Sequence, residues 1–335
     1  MSVDLSTTYL GLTLANPLVA SSGPLTGSAE SLKKLEEAGI AAAVMPSLFE
    51  EEIEHDVWQQ HKLQQFGSES FAEALDYFPA HALPGDGPDA YLRRIAAAKQ
   101  AVSIPIIASL NGTSPGGWTG YARQMEEAGA DALELNVYFM ATDPDVTGAE
   151  VEERYLELVG SVRTAIGIPL SVKIGPFFSC LPNIAGRLVE AGADGLVLFN
   201  RFLQPDINLD SLAVEPRMSL SSEFEMRLPL RWIAVLRGQL VASLAATSGV
   251  YDASGMAKLL LAGADVTMTT AALLQQGPQY ASRMIAELSA WMAEREYVSV
   301  RQLQGSMSCE NCPNPDAYER VNYLKALISY TGSEI

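Results

Sequence analysis

One phrase occurs four times along this chain, and it constrains the fold more than any other feature. It reads Glu37-Ala-Gly-Ile-Ala-Ala-Ala-Val-Met45, Glu127-Ala-Gly-Ala-Asp-Ala-Leu-Glu-Leu135, Glu190-Ala-Gly-Ala-Asp-Gly-Leu-Val-Leu198 and Leu261-Ala-Gly-Ala-Asp-Val-Thr-Met268. Each copy joins an amphipathic run to a short apolar run through a glycine (Gly39, Gly129, Gly192, Gly263). Glycine can adopt the left-handed conformation that closes a helix, and the apolar run suits a strand covered on both faces. The phrase is therefore a helix-to-strand joint. Two further joints use proline, with Pro105 and Pro169 opening the runs Ile-Ile-Ala-Ser-Leu110 and Leu-Ser-Val-Lys-Ile174, where a missing N–H is tolerated.

Periodicity predicts helices over 28–38, 88–101, 118–128, 149–166, 182–191, 252–262 and 278–294, and strands over 17–21, 41–45, 104–110, 132–136, 170–174, 195–199, 240–245 and 265–269. Strands that alternate with helices demand a parallel sheet with crossovers. Eight such units over roughly 250 residues fit a closed (β/α)8 TIM barrel of the α/β class, with an open doubly wound sheet as the rival. The segments 49–87 and 200–228 read as long insertions after strands two and six, and 296–335 as a C-terminal extension ending in a helix. No Pro/Ser/Gly-rich linker divides the chain, so 1–335 reads as a single domain.

At 335 residues the chain can bury about three quarters of its unfolded surface and needs no disulfide or metal to hold a core. It carries 22 basic and 40 acidic side chains, a formal charge of −18. That balance repels nucleic acid and anionic membrane, so any phosphate must be caught locally by backbone amides or a placed cation. No apolar run is long enough to span a bilayer, and the first residues lack the pattern of a signal peptide. With three cysteines and no disulfide framework, a cytoplasmic protein acting on a small molecule is the expectation.

Chemistry in such a barrel belongs to the loops after the strands. Those ends read Ala20-Ser21-Ser22-Gly23, Pro46-Ser47, Asn111-Gly112, Asn136, Lys173, Asn200, Thr247-Ser248-Gly249 and Thr269-Thr270. Neutral amides and hydroxyls surround one lysine, and no His, Asp or Glu appears among them. That lining suits a planar hydrogen-bonding heterocycle better than a hydrolytic or metal centre. Ser248-Gly249 and Thr270-Ala271 follow strands seven and eight, where barrels commonly bind phosphate.

From Asn16-Pro-Leu-Val-Ala-Ser-Ser-Gly23 to Gly263-Ala-Asp and Ala271-Ala-Leu273, the sequence resembles the flavin-dependent dihydroorotate dehydrogenase family. The resemblance implies an FMN-binding barrel that oxidises a dihydropyrimidine by hydride transfer, as in pyrimidine biosynthesis, with a second substrate reoxidising the flavin. It implies that Ala20, Ser21 and Gly23 lie along the isoalloxazine, with Ser47 beside it. Asn111 and Asn136 would hydrogen-bond the flavin, and Lys173, the expected catalytic residue, would face its N1/C2 edge. Asn136 and Asn200 would bind substrate. Ser248, Gly249, Thr270 and Ala271 would hold the phosphate. A fixed cation near N1 stabilises the charge that a reduced flavin carries there.

The chain departs from the family's pattern in three places. The loop after strand four reads Asn136-Val-Tyr-Phe-Met-Ala-Thr142, which puts Phe139 at the position of the family's base. The family's Thr-Lys-Ser after strand two is Met45-Pro46-Ser47. Its Asn-x-x-Gly substrate loop has no clear equivalent in 49–87. Tyr138, Thr142 and Cys180 are the replacement bases to consider. Two other functions stay open: a flavin-binding protein or complex subunit without catalysis, and a flavin-free lyase using Lys173 as a Schiff-base nucleophile.

Cys309-Glu-Asn-Cys312 has metal-ligand spacing but lacks a second ligand pair, so no metal is expected unless a homodimer shares the site. The run Glu50-Glu-Glu-Ile-Glu-His-Asp56, with His61 and His81 beyond it, reads as a solvated lid. Gly116, Gly117 and Trp118 read as a helix start and a packing residue. Arg201 and Gln204-Pro-Asp-Ile-Asn208 read as a loop able to close on substrate.

Overall fold

A computed structural model describes residues 3–54, 87–113, 116, 119–201, 205–215, 219–313, 315, 323 and 327–329. Eight parallel strands close into a barrel. They are β1 (Leu18–Ala20), β2 (Ala42–Phe49), β3 (Ile106–Asn111), β4 (Ala132–Asn136), β5 (Leu170–Ile174), β6 (Gly195–Leu198), β7 (Ser243–Ala246) and β8 (Val266–Thr269). Each strand pairs with the next in sequence, and β8 closes the ring on β1 through Thr267↔Leu18 and Thr269↔Ala20. The open-sheet rival is excluded.

One helix follows each strand: α1 (Ala29–Glu37), α2 (Pro88–Ala101), α3 (Thr119–Glu127), α4 (Gly148–Ala165), α5 (Leu181–Glu190), α6 (Arg227–Leu236), α7 (Ala253–Ala262) and α8 (Tyr280–Glu294). Local chemistry starts them where the sequence places them. Ser28 and Asp252 accept amides of Ser31 and Gly255, while Thr147 and Glu150 form a reciprocal capping box. The glycines of the repeated phrase end α1, α3, α5 and α7 with φ of 91°, 100°, 113° and 120°, a region that L side chains avoid.

Three features differ from the expectation. β2 runs to Phe49 instead of stopping at Met45, so Ser47 lies within the strand; Pro46, unable to donate, coincides with a register shift between Val44 and Ser47. α6 does not appear among the expected helices. Its Pro229 sits in the first turn, where a proline costs no intrahelical bond. The expected insertion 200–228 therefore ends at the turn Glu223–Met226 that leads into this helix. It also contains a small hairpin, Asp206–Asn208 with Ala213–Glu215.

A second hairpin, Thr7–Tyr9 with Leu12–Leu14, precedes the barrel and plugs its lower end. Tyr9, Leu10 and Leu14 pack with Val19, Val44, Ile107, Val197 and Val266 as one buried lumen cluster. A larger cluster fills the layer between strands and helices. The start of the C-terminal extension ties these parts together: Val300 donates to Asp4, Gly305 to Leu260 and Cys309 to Ala234. Of the expected terminal helix, residues 323 and 327–329 are described and are helical, and most of 49–87, including His61 and His81, lies outside the described residues.

Candidate active site at the C-terminal mouth

Side chains alternate across each strand, so the lumen is read in layers. The lower layers are apolar. Toward the C-terminal end they become polar: Ser109, Glu134, Ser171 and Lys173 are all buried inside the ring. Register places Asn111 beside Asn136 and Asn136 beside Lys173, so three strand ends present their polar groups in one row.

Lys173 is 8% exposed and Glu134 is fully buried, with Nζ 3.4 Å from Oε1. The other carboxylate oxygen, Oε2, has no hydrogen-bond partner among the described residues. Below them the Tyr9 phenol is pushed far above its usual range by burial, with the Glu134 carboxylate adding to the effect. The lysine expected to stand alone among neutral amides is therefore half of an ion pair. Glu134 was missed because it sits in the repeated phrase between two leucines, where the sequence reads as a buried strand.

Other expected residues come together in pairs. Asn200 Nδ2 donates to Asn136 Oδ1 at 2.6 Å, joining the two positions expected to hold substrate. Ser47 and Ser109 share a hydrogen bond of 2.8 Å across β2 and β3, and the Ser109 amide donates to the Tyr91 hydroxyl. Thr270 Oγ1 donates to the Ser21 carbonyl at 2.9 Å. A Cβ on Gly23 would lie 2.6 Å from Thr270 Cγ2, so glycine is what lets the ends of β1 and β8 approach. Ala20 packs in the sheet–helix layer, which leaves only its backbone edge for the mouth.

At the turn after β7, Ser248 and Gly249 have φ of 77° and 74°, and Gly249 donates its amide to Ser221 Oγ at 3.2 Å. A Cβ on Gly249 would meet the Met226 backbone nitrogen at 2.6 Å. Ser248 Oγ lies 3.4 Å from the Phe199 carbonyl. Ala271 opens a short helix, Ala271–Gln276. These two turns stand side by side at the ends of β7 and β8, but the Gly249 amide is engaged by the segment before α6.

The replacement bases are scattered. Phe139 is half-buried beneath the Arg154 guanidinium, 4.3 Å from its ring centre. Tyr138 is half-buried beside it, Thr142 is exposed, and Cys180 is exposed at the start of α5. Glu50, expected in a solvated run, instead turns inward and accepts the Thr113 amide at 2.8 Å. The turn carrying Cys309 and Cys312 is half-buried, and no group of three potential metal ligands occurs among the described residues. No described helix is long and apolar enough to cross a membrane.

Residues 4–292 match the family model for dihydroorotate dehydrogenase. The chain belongs to the dihydroorotate dehydrogenase family. It is 26% identical over 310 residues to the catalytic subunit of dihydroorotate dehydrogenase B (NAD(+)) of Methanothermobacter thermautotrophicus, covering 90% of this chain and 97% of that one. The putative dihydroorotate dehydrogenase A (fumarate) of Aeropyrum pernix matches at the same identity and coverage. The NAD-dependent dihydropyrimidine dehydrogenase subunit PreA of Escherichia coli K12 is 23% identical over 348 residues, 98% of this chain and 84% of the relative. Family members with different named substrates thus resemble this chain to similar degrees.

Proposed function

We propose that this protein is an FMN-dependent oxidoreductase that dehydrogenates dihydroorotate or a related planar cyclic substrate. The observation that carries this reading is the Lys173–Glu134 pair in one row with Asn111 and Asn136 at the barrel mouth. The donor set fits a flavin: one buried ammonium for the N1/C2 edge, carboxamides for its other ring positions, and a glycine at residue 23 that keeps the approach to β1 clear. When bound, flavin mononucleotide supplies two-electron acceptance from a substrate carbon.

The protein's own residues then divide the work. Lys173 holds a positive charge that needs no reorganisation when negative charge develops beside it. Glu134 orients that ammonium from below. Asn136 and Asn200, already hydrogen-bonded to each other, can exchange that bond for the polar edge of a substrate ring. The turns at Ser248-Gly249 and Thr270-Ala271 would take the phosphate, with Gly249 released from Ser221.

Proton removal does not fall to residue 139, since a phenylalanine packed under Arg154 has no group to accept a proton. This favours a second reading, a flavin-binding subunit without dehydrogenase activity of its own. The lyase reading is the weakest of the three. Attack on a carbonyl needs Lys173 as the neutral amine, which would leave the buried Glu134 carboxylate without its counter-charge.

The test is spectroscopic. The purified protein is expected to carry the visible absorption of oxidised flavin, released as FMN on denaturation, and anaerobic dihydroorotate or dihydrouracil bleaches it. Flavin that no dihydropyrimidine reduces supports the non-catalytic subunit. A colourless protein that does not take up FMN overturns both flavin readings.

A further inference from the structure

Beside the mouth, a cleft of about 580 Å³ opens between the ends of β5 and β6 and the first turns of α6. That volume lies in the range that encloses a small organic ligand, about 300–1,000 Å³. Its lining is unlike the rest of this acidic chain. Three of the 22 basic residues, Arg201, Arg227 and Arg231, converge on it, against the single carboxylate of Glu225.

That carboxylate is already neutralised, because Arg201 Nε binds Glu225 Oε1 at 2.9 Å while Arg201 also donates to the Ser219 carbonyl. The other two arginines are not spent. Arg227 stacks over the Phe224 ring at 4.7 Å and makes no ion pair among the described residues. Arg231, one helical turn on, has no hydrogen-bond or ion-pair partner among them. Residues four apart share a helix face, and both guanidinium groups stand on the first turns of α6, where the helix dipole adds positive potential.

Two aromatic rings, Phe177 and Phe224, stand 75% and 70% exposed at the same cleft. Large exposed aromatics beside unpaired guanidinium groups describe a recognition surface for a flat ring bearing an oxyanion. Two adjacent guanidinium forks favour a dianion such as a phosphate monoester over a single carboxylate, because each can bind bidentately.

We propose that this cleft binds a nucleotide: its base lies against Phe177 and Phe224 and its phosphate is held by Arg227 and Arg231, at a second position adjoining that of the flavin. Asn200, whose amide reaches Asn136 at the mouth, and Ser248, given above to the phosphate turn, line the same cleft, so the two positions share an edge. A nucleotide seated there stands next to the redox centre proposed above, as a second substrate or an effector would. The site itself is argued from the cleft alone.

Calorimetric titration of the protein as purified, with adenosine 5′-monophosphate, adenosine and inorganic phosphate as separate probes, tests it. The nucleotide is expected to bind at least about tenfold more tightly than either fragment, and more weakly as salt is raised. Arg231→Gln is expected to weaken it about tenfold, the Arg227→Gln/Arg231→Gln double variant about a hundredfold, and Phe224→Ala about tenfold, with circular dichroism unchanged. Flavin content, measured alongside, is expected to stay at the wild-type level in all of them. Equal binding of phosphate and nucleotide, no binding of any probe, or loss of bound flavin in the arginine variants each overturns the proposal. The last would assign the cleft to the flavin's own phosphate. A protein that contains no flavin yet binds the nucleotide through Arg227 and Arg231 keeps this inference and refutes the preceding one.

Discussion

Lys173 and Glu134 act as one unit, since neither charge is stable in the barrel without the other. Burying a carboxylate whose partner has been removed costs about 3–5 kcal/mol, and Glu134 is fully buried with one oxygen unpaired among the described residues. Lys173→Met is therefore expected to lower stability by about that amount and to lose flavin for an uninformative reason. The Lys173→Met/Glu134→Gln double variant separates the two effects. It is expected to recover most of the stability, measured by urea unfolding, while the bound flavin becomes harder to reduce. A double variant as unstable as the single one contradicts the pairing, and an unchanged flavin potential contradicts the role given to Lys173. The sequence reveals one member of this pair and hides the other. A lysine in an apolar strand attracts notice, whereas Glu134 reads as one letter of a repeated joint. The pairing Asn136–Asn200 was equally hidden, because 64 residues separate two amides that meet only when β4 and β6 stand in one ring.

The repeated joint has a physical purpose that its periodicity does not disclose. Asp131, Asp194 and Asp265 occupy the same place in three copies, and each accepts the amide of an earlier strand: Ile106, Leu170 and Leu244, at 2.7, 2.8 and 2.6 Å. Each also pairs with a cation from the preceding helix or its end, Lys99, Arg163 and Arg237. The phrase thus staples strand starts to helix ends at the face opposite the mouth, where barrels invest in stability. Asp265→Ala leaves the Leu244 amide without its acceptor and Arg237 and Gln304 with backbone carbonyls alone, and is expected to cost about 2 kcal/mol. Burial, opposed by the Leu244 amide and Arg237, holds the Asp265 carboxyl above its ordinary value of 3.8. The folded chain therefore keeps that proton to a higher pH than the unfolded chain. Its contribution is full below the unfolded value and is lost as pH rises through the folded one. The stability advantage of wild type over Asp265→Asn is accordingly expected to widen as pH falls from neutrality towards 3.8, in urea melts run across that window. A gap that narrows on acidification rejects this account. At this scale the joints were legible because glycine and proline punctuate them, while α6 was not, because Pro229 carries the same punctuation inside a helix.

Taken as a whole, the molecule divides its labour along the barrel axis. The lower end is sealed by the N-terminal hairpin, whose three-residue strands are too short to show a period in sequence. Leu10 is 3% exposed in the lumen cluster, its amide donates to Ser243 Oγ at 2.9 Å, and its Cδ2 fills the space that a Cβ on Gly195 would occupy at 2.6 Å. Leu10 also has a φ of 53°, so the fold tolerates backbone strain there in exchange for that packing. The mouth is separated from this plug by the layer of Ser109, Glu134, Ser171 and Lys173, so a cavity below need not disturb what binds above. Leu10→Ala is expected to lower unfolding stability by about 2–5 kcal/mol, while the folded fraction binds flavin with unchanged affinity and reduces at an unchanged rate. Gly23→Ala is the contrasting case, because its added Cβ would press on Thr270 at the mouth. It is expected to impair flavin retention more than stability. Measuring urea midpoints and flavin content on both variants gives four numbers. A Leu10→Ala protein that loses flavin while folded, or a Gly23→Ala protein that keeps it while unfolding early, would show that the two ends of the barrel are energetically coupled through the Tyr9–Glu134 region and not insulated by it.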